Sequence, residues 1–233
     1  MDVLTAEEIG IVTLSLRVAL VSVALGLPFA IPIAYFLARN KFPGKSIIDA
    51  FIHLPLVLPP VVIGFVLLVL FGKNGPIGSL LHDWFGVVFA FRWTGAALAS
   101  AVMGFPLMVR AIRLSIEGID RRLEFAARTL GASRFWVFFS ITLPLAFPGI
   151  LTGILLSFAR GLGEFGATIT FVSNIPGETE TLPIAIYTFA QSPSGNAQVL
   201  RLSFIAVLIS IVALMISEWL TRRFSAFHGN DRR

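Results

Sequence analysis

Long uncharged runs, separated by short stretches rich in Lys and Arg, are the dominant pattern of this chain. A helix needs roughly 20 apolar residues to cross a bilayer. The runs that approach this length lie at 18–38, 54–71, 93–109, 135–159 and 202–217. They predict an all-α integral membrane protein, with a single transmembrane domain over 1–233. With their flanking turns, the five predicted spanning helices lie at about 14–38, 47–71, 93–113, 138–160 and 201–220.

The segment 164–198 departs from this pattern. It is apolar only in patches and carries Pro176, Gly177, Glu178, Glu180 and further prolines. A sixth span there would move the basic C-terminus to the opposite side of the membrane. Irregular backbone at membrane depth requires shielding by protein or water. We therefore predict a broken or re-entrant segment on the outer face.

The distribution of basic residues predicts the orientation. Thirteen of the 18 Lys and Arg residues fall in 39–45, 110–134 and 222–233, and the alternate segments hold the other five. Basic residues accumulate on the cytoplasmic side of membrane proteins. The N-terminus is therefore predicted outside, the C-terminus in the cytoplasm, and the loop 114–137 in the cytoplasm.

Composition excludes several classes of protein. Hydrophobic residues make up 56% of the chain and charged residues 13%, against about 25% charged in soluble domains. The net charge of +5 comes from loops between apolar runs, which argues against nucleic-acid binding. There are no cysteines, no metal-ligand spacing, no phosphate-binding loop of an ATPase and no catalytic constellation. We expect no metal, no cofactor and no enzymatic activity.

The loop 114–137 contains a predicted amphipathic helix. Asp120 is placed to cap its start, and Gly131 to end it. Glu124 in the first turn is spaced for a surface pair with Arg128. The apolar positions recur at helical spacing and form one apolar stripe with small alanines at its centre, made of Leu123, Ala126, Ala127 and Leu130. Such a stripe either packs on the chain's own membrane helices or lets another protein approach closely.

A motif across this loop resembles the EAA motif of ABC-importer permeases. The motif residues are Ala126, Ala127, Gly131, Ile141, Leu143 and Pro144. The glutamate position of the motif holds Phe125, and the glutamate lies one residue earlier, at Glu124.

The resemblance implies a type I importer permease fold in which this helix docks on an ATPase subunit. It further implies a second permease copy, two ATP-binding cassette ATPases that hydrolyse the ATP, and an external solute-binding protein. The expected location is the bacterial plasma membrane, in contact with lipid. The competing class, a stand-alone secondary transporter or channel, predicts charges buried in mid-span and inverted repeats, and neither is evident.

Three further segments, 53–65, 106–120 and 157–179, resemble the molybdate permeases among these importers. The resemblance implies molybdate as the substrate and a molybdate-binding protein as the external partner. Sulfate and thiosulfate permeases share a related Gly-Glu-Phe-Gly segment, and tungstate has nearly the same size and charge as molybdate. These oxyanions therefore remain alternatives.

Polar residues near the outer end of the fourth predicted span are candidates for the transport pathway or gate. Arg160 and Glu164 are spaced four apart and predict a structural pair that shapes the outer gate. A dianion is best bound by hydrogen-bond donors that also release it, and hydroxyl and amide groups can supply them. The candidates are Ser157, Thr168, Thr170, Ser173 and Asn174. Their alternative role is to hold helices together.

Overall fold

The computed structural model describes residues 4–193 and 195–228, which are helical almost throughout. The first six helices are α1 (Ala6–Arg39), α2 (Lys45–Val57), α3 (Pro60–Phe71), α4 (Pro76–Phe85), α5 (Trp93–Glu117) and α6 (Arg121–Thr129). The next are α7 (Arg134–Val137), a π-turn (Phe138–Thr142), α8 (Leu143–Leu162), α9 (Gly166–Val172), α10 (Leu182–Ala190) and α11 (Asn196–His228). No strand occurs within these ranges.

Four segments of the described chain are long and apolar enough to cross a membrane. They are Ala6–Arg39, Trp93–Glu117, Arg134–Leu162 and Asn196–Ala213, and α2 with α3 makes a fifth if that bent pair counts as one span. This confirms the prediction of an all-helical membrane protein. Within the C-terminal basic cluster 222–233, residues 229–233 lie outside the described residues, and no side chain of 222–228 is described.

The span predicted over 47–71 is sharply bent in the structure. The chain forms two helices that meet at 110°. Pro59 and Pro60 follow Leu58, whose ψ of 147° is extended. A proline disfavours the helical conformation in the residue before it and has no N–H to donate. The two prolines therefore end α2 and begin α3 in a new direction.

Close packing of α8 against α5 forms the centre of the molecule. Small residues recur every fourth position along α8, at Gly149, Gly153, Ser157 and Gly161. A side chain on Gly149 would collide with Ser115 of α5. Small residues of this kind let membrane helices approach backbone to backbone. Helix α1 completes this core, because Gly161 also lies against Ser22 of α1.

The predicted broken segment 164–198 folds as two short helices and the start of a long one. Helices α9 and α10 have 7 and 9 residues, too few to cross a bilayer. Helix α9 packs on α3, where a side chain at Gly64 would overlap the backbone of Ala167. Helix α11 begins within the predicted segment, at Asn196.

Candidate functional site

Helix α6 of the 114–137 loop has well-defined ends. Its N-cap is Asp120, whose carboxylate accepts a hydrogen bond from the Arg122 backbone N–H at 2.9 Å. At the other end, Gly131 has φ +89°. The N–H of Gly131 donates to the Arg128 carbonyl and that of Ala132 to the Ala127 carbonyl, both at 3.1 Å. This pair of hydrogen bonds is the Schellman motif. The predicted N-cap at Asp120 and the predicted helix end at Gly131 are therefore both present.

Glu124 pairs with Arg39 of α1 and does not form the predicted surface pair with Arg128. Its Oε1 accepts hydrogen bonds from Arg39 Nε at 3.0 Å and Nη2 at 2.6 Å, and from Thr142 Oγ1 at 2.9 Å. Arg39 is the last residue of α1, and Thr142 closes the π-turn. Glu124 therefore ties α6 to the C-terminal end of α1 and to the start of α8.

The apolar stripe of α6 is not covered by the rest of the described chain. Leu130 is 88% exposed and Leu123 is 49% exposed. Ala126 is exposed and Ala127 is half-buried. Packing on the chain's own membrane helices therefore does not account for the stripe, which remains accessible to another protein.

The rest of the motif lies where the loop enters the membrane helix. Ile141 belongs to the π-turn, and Leu143 and Pro144 begin α8. Ile141 and Leu143 are half-buried and Pro144 is exposed. Isolated π-turns are found frequently at functional positions in helices. Here the turn carries Thr142, one of the two anchors of Glu124.

Ser157 lies inside the contact between α5 and α8. Its side chain is buried, and a Cβ on Gly104 would collide with it. In this arrangement its hydroxyl faces another helix of the core and not an open pathway. Ser157 thus lies at a helix–helix contact in this structure, and its hydroxyl has no hydrogen-bond partner among the described residues.

The predicted pair between Arg160 and Glu164 is present. Arg160 Nη1 lies 2.5 Å from Glu164 Oε2, and the Glu164 side chain is only 1% exposed. Its other oxygen, Oε1, accepts a hydrogen bond from the Ala167 backbone N–H at 2.8 Å. The Glu164 carboxylate thus pairs with the Arg160 guanidinium at the end of α8 and caps the beginning of α9.

The other four candidates follow along α9 and the turn after it. Thr168 is buried, and its hydroxyl has no hydrogen-bond partner among the described residues. Thr170 Oγ1 donates to the Gly166 carbonyl at 2.8 Å. Ser173, which ends α9, has φ 62° and ψ −170°, a region used almost only by glycine. Asn174 Nδ2 donates to Thr188 Oγ1 at 3.0 Å.

A buried carboxylate beside this turn was not predicted from the sequence. Glu180 lies between α9 and α10 and is almost fully buried. Burial and the nearby carboxylate of Glu7 raise the pKa of Glu180, and a hydrogen bond with Asn174 opposes this rise. Thr179 braces the same turn, with its Oγ1 donating to the Ser173 carbonyl at 2.9 Å. Glu7 is 173 positions away, so no local pattern could reveal the pair.

No group of three His, Cys, Asp or Glu side chains in residues 4–193 and 195–228 is arranged to hold a metal ion. The polar chemistry of the described chain therefore consists of ion pairs, hydroxyls and helix caps.

Known proteins that resemble this chain in sequence are permeases of transport systems. The molybdenum transport system permease protein of Escherichia coli K12 is 59% identical over 220 residues, covering 94% of this chain and 96% of that protein. Its Haemophilus influenzae counterpart is 59% identical over 216 residues, covering 93% and 94%. A sulfate transport system permease protein of Synechocystis is 36% identical over 213 residues, covering 90% and 75%.

Solved structures share the fold. A bacterial ABC transporter that imports the acidic polysaccharide alginate matches with a TM-score of 0.70 at 17% identity, covering 94% of this chain and 80% of that one. An inward-facing methionine ABC transporter matches with a TM-score of 0.71 at 12% identity, covering 95% and 99%. The family model that matches residues 26–226 is described as a binding-protein-dependent transport system inner membrane component. The chain belongs to this family.

Proposed function

We propose that this chain is the transmembrane subunit of an ATP-driven importer that carries molybdate across the bacterial plasma membrane by alternating access. The observation that carries the proposal is α6, an exposed helix with an uncovered apolar stripe that is held firmly to two membrane helices. Leu123 and Leu130 would be costly to leave in water, since each buried leucine contributes roughly 1.5–3 kcal/mol. The stripe therefore suits an ATPase surface.

The anchoring of α6 allows a movement of this helix to be transmitted to the membrane helices. Glu124 bonds to Arg39 of α1 and to Thr142 at the base of α8. A displacement of α6 by an ATPase therefore acts on both helices together. Nucleotide drives such a change only if it favours one arrangement of the assembly over the other. ATP binding would draw two copies of α6 together, and hydrolysis would release them.

The proposed assembly has two permease copies, two ATPases and an external molybdate-binding protein. Membrane helices of one copy leave large apolar side chains uncovered, among them Leu20 and Phe29 on α1 and Phe204 on α11. Lipid and a second copy would share this surface. The basic residues favour an outer N-terminus and a cytoplasmic C-terminus, which puts α6 on the side where ATP is available.

Molybdate is preferred over other oxyanions because of relatives that are 59% identical and named for molybdenum transport, against 36% for a relative named for sulfate. Thr168 and Ser157 each carry a buried hydroxyl with no hydrogen-bond partner among the described residues, and these two hydroxyls are the candidate donors to a dianion. We assign Arg160 and Glu164 to the support of α9, with Thr170, Ser173 and Asn174 on the same segment. Tungstate and sulfate are the competing substrates.

Ala127→Asp tests the docking role. Ala127 lies in the stripe, and a carboxylate there would have to be desolvated in the interface. We expect loss of ATPase co-purification and at least tenfold slower molybdate uptake, with normal membrane insertion. Thr129→Asp is the matched control, because Thr129 is exposed and lies about 200° around the helix from Ala127.

The same preparation separates the competing functions. Transport in ATP-depleted vesicles with an ion gradient would support a secondary transporter and overturn the importer. Wild-type uptake by the Ala127→Asp variant would overturn the docking surface. Uptake of sulfate in preference to molybdate, measured with the cognate binding protein, would contradict only the assignment of molybdate as the substrate.

A further inference from the structure

A cavity of about 670 Å³ lies between the inner end of α1, helix α6 and the start of the helix that continues into α8. Its volume falls in the range of ligand sites. Its lining combines two chemistries. Four arginines face a single carboxylate, Glu124, and the remaining wall is mainly aromatic. The arginines are Arg39, Arg121, Arg128 and Arg134.

Two of these arginines are committed to the fold. Arg39 is paired with Glu124 at 2.6 Å. Arg121 Nη2 donates to the carbonyls of Ala38 and Arg39 at 3.3 and 3.4 Å, at the C-terminal end of α1. The other two, Arg128 and Arg134, make no side-chain hydrogen bond or ion pair with any part of the chain that the structure describes. The cavity thus keeps an excess of positive charge.

The opposite wall is apolar and open. Phe135 is 74% exposed, and its ring centroid lies 4.6 Å from that of Phe139. Tyr35 of α1 packs edge-on against Phe138 at 4.9 Å and closes the inner side. A small inorganic oxyanion would leave these aromatic rings in water. A ligand with an anionic head and a hydrocarbon tail would use both walls.

We propose that this cavity binds an anionic phospholipid of the cytoplasmic leaflet, with its phosphate on Arg128 and Arg134 and an acyl chain along Phe135 and Phe139. Basic pockets at the cytoplasmic ends of membrane helices suit such headgroups. The proposal rests on the orientation in the proposed function, which places this cavity at the inner surface of the membrane.

The lipid and the ATPase would use different faces of α6. The cavity-lining residues of this helix are Arg121, Glu124, Phe125 and Arg128. At about 100° per residue they lie on the side opposite to the stripe of Leu123, Ala126, Ala127 and Leu130. A bound lipid therefore leaves the stripe free and stiffens the attachment of α6 to α1.

The test is lipid retention by the purified full-length chain in detergent, measured by native mass spectrometry. The probes are phosphatidylglycerol and phosphatidylcholine with identical acyl chains. Each basic residue near an anionic lipid contributes about fivefold in affinity. We expect Arg128→Gln with Arg134→Gln to lose at least about tenfold in phosphatidylglycerol retention. The double variant with lysine at both positions should retain it.

Arg122→Gln is the matched control. Arg122 is exposed on the same helix and does not line the cavity, so its loss should leave lipid retention unchanged. An equal loss in this control, or equal retention of phosphatidylcholine, would overturn the site. Displacement of the lipid by millimolar inorganic phosphate or molybdate would assign the cavity to a soluble anion, and displacement by the ATPase would assign it to that protein. Because the assay contains neither nucleotide nor a transport step, it is decided independently of the importer proposal.

Discussion

Oε1 of Glu124 accepts three hydrogen bonds from two other parts of the chain. Charge-assisted bonds of this kind are about twice as strong as neutral ones. The pair with Arg39 is also mostly shielded from water. Removing the charge on one side would leave the guanidinium without compensation, which is more costly than never having formed the pair.

Glu124→Gln should therefore weaken both stability and coupling. The hydrogen bonds to a charged group contribute about 1.5–3 kcal/mol, and the amide retains only part of this. We expect a lower midpoint of thermal unfolding in detergent and slower uptake. Glu117→Gln breaks an exposed pair with Arg113 and should change neither by much. Equal effects of the two variants would contradict an anchoring role for Glu124.

Glu180 predicts an unusual pH dependence. Its pKa is raised in the folded protein, chiefly by burial and then by Glu7. The folded state therefore binds this proton more tightly than the unfolded state. The resulting stabilisation is present at low pH and is lost as pH rises through the raised pKa. The ionised carboxylate then opposes folding at neutral pH.

Glu180→Gln should remove this penalty. We expect the variant to be more stable than the wild type at neutral pH, and the difference to shrink on acidification. Unfolding midpoints at several pH values from about 4 to 8 measure the effect, and Glu7→Gln should reproduce part of it. A difference between Glu180→Gln and wild type that stays constant with pH would contradict the assignment.

At the scale of elements, the end of α6 depends on backbone conformation. Gly131 has φ +89°, and a Cβ built there meets nothing within 4 Å. Replacement of Gly131 is therefore disfavoured by its left-handed backbone conformation and not by contact with neighbouring atoms. The left-handed conformation costs ordinary residues about 1–2 kcal/mol, and a β-branched side chain is a more severe outlier there.

Gly131→Val should loosen the last turn of α6 and slow uptake, while Gly131→Asn should retain more activity because asparagine tolerates this conformation. Gly118→Val is the control, since Gly118 has φ −73° and only ordinary contacts near its Cβ. Uptake rates of the three variants, at matched membrane levels, decide the point. Normal uptake in Gly131→Val would show that the turn tolerates another conformation.

The limits of helix α6 were predictable because its signals are local. Asp120 and Gly131 act within one or two turns of their own positions. The same sequence could not reveal that Glu124 bonds to Arg39, which lies 85 positions away. The sharp bend between α2 and α3 did have a local signal in Pro59 and Pro60. These prolines favour a break because proline restricts the residue before it, but the angle of 110° between the two helices depends on packing that no local pattern reveals.

At the scale of the whole molecule, the apolar pattern predicted the class of fold, since few charges and long runs leave the bilayer as the only suitable solvent. The position of Ser157 was harder to predict from the sequence. A serine in a span can line a pathway or pack against a glycine, and the contact with Gly104 becomes visible only when the neighbouring helix is in place. The four-residue spacing of small residues along α8 was the signal that could have found this contact.

The close approach of α8 to α5 limits how an alternating-access cycle can proceed. Where Gly149 and Gly153 lie against Ser115 and the backbone of Met108, the two helices touch with little side chain between them to absorb a change in their separation. Sliding one past the other would bring larger residues into the gap. These helices are therefore expected to travel as a rigid body, and the deformation of each cycle falls on the hinges outside it, such as the angle between α2 and α3.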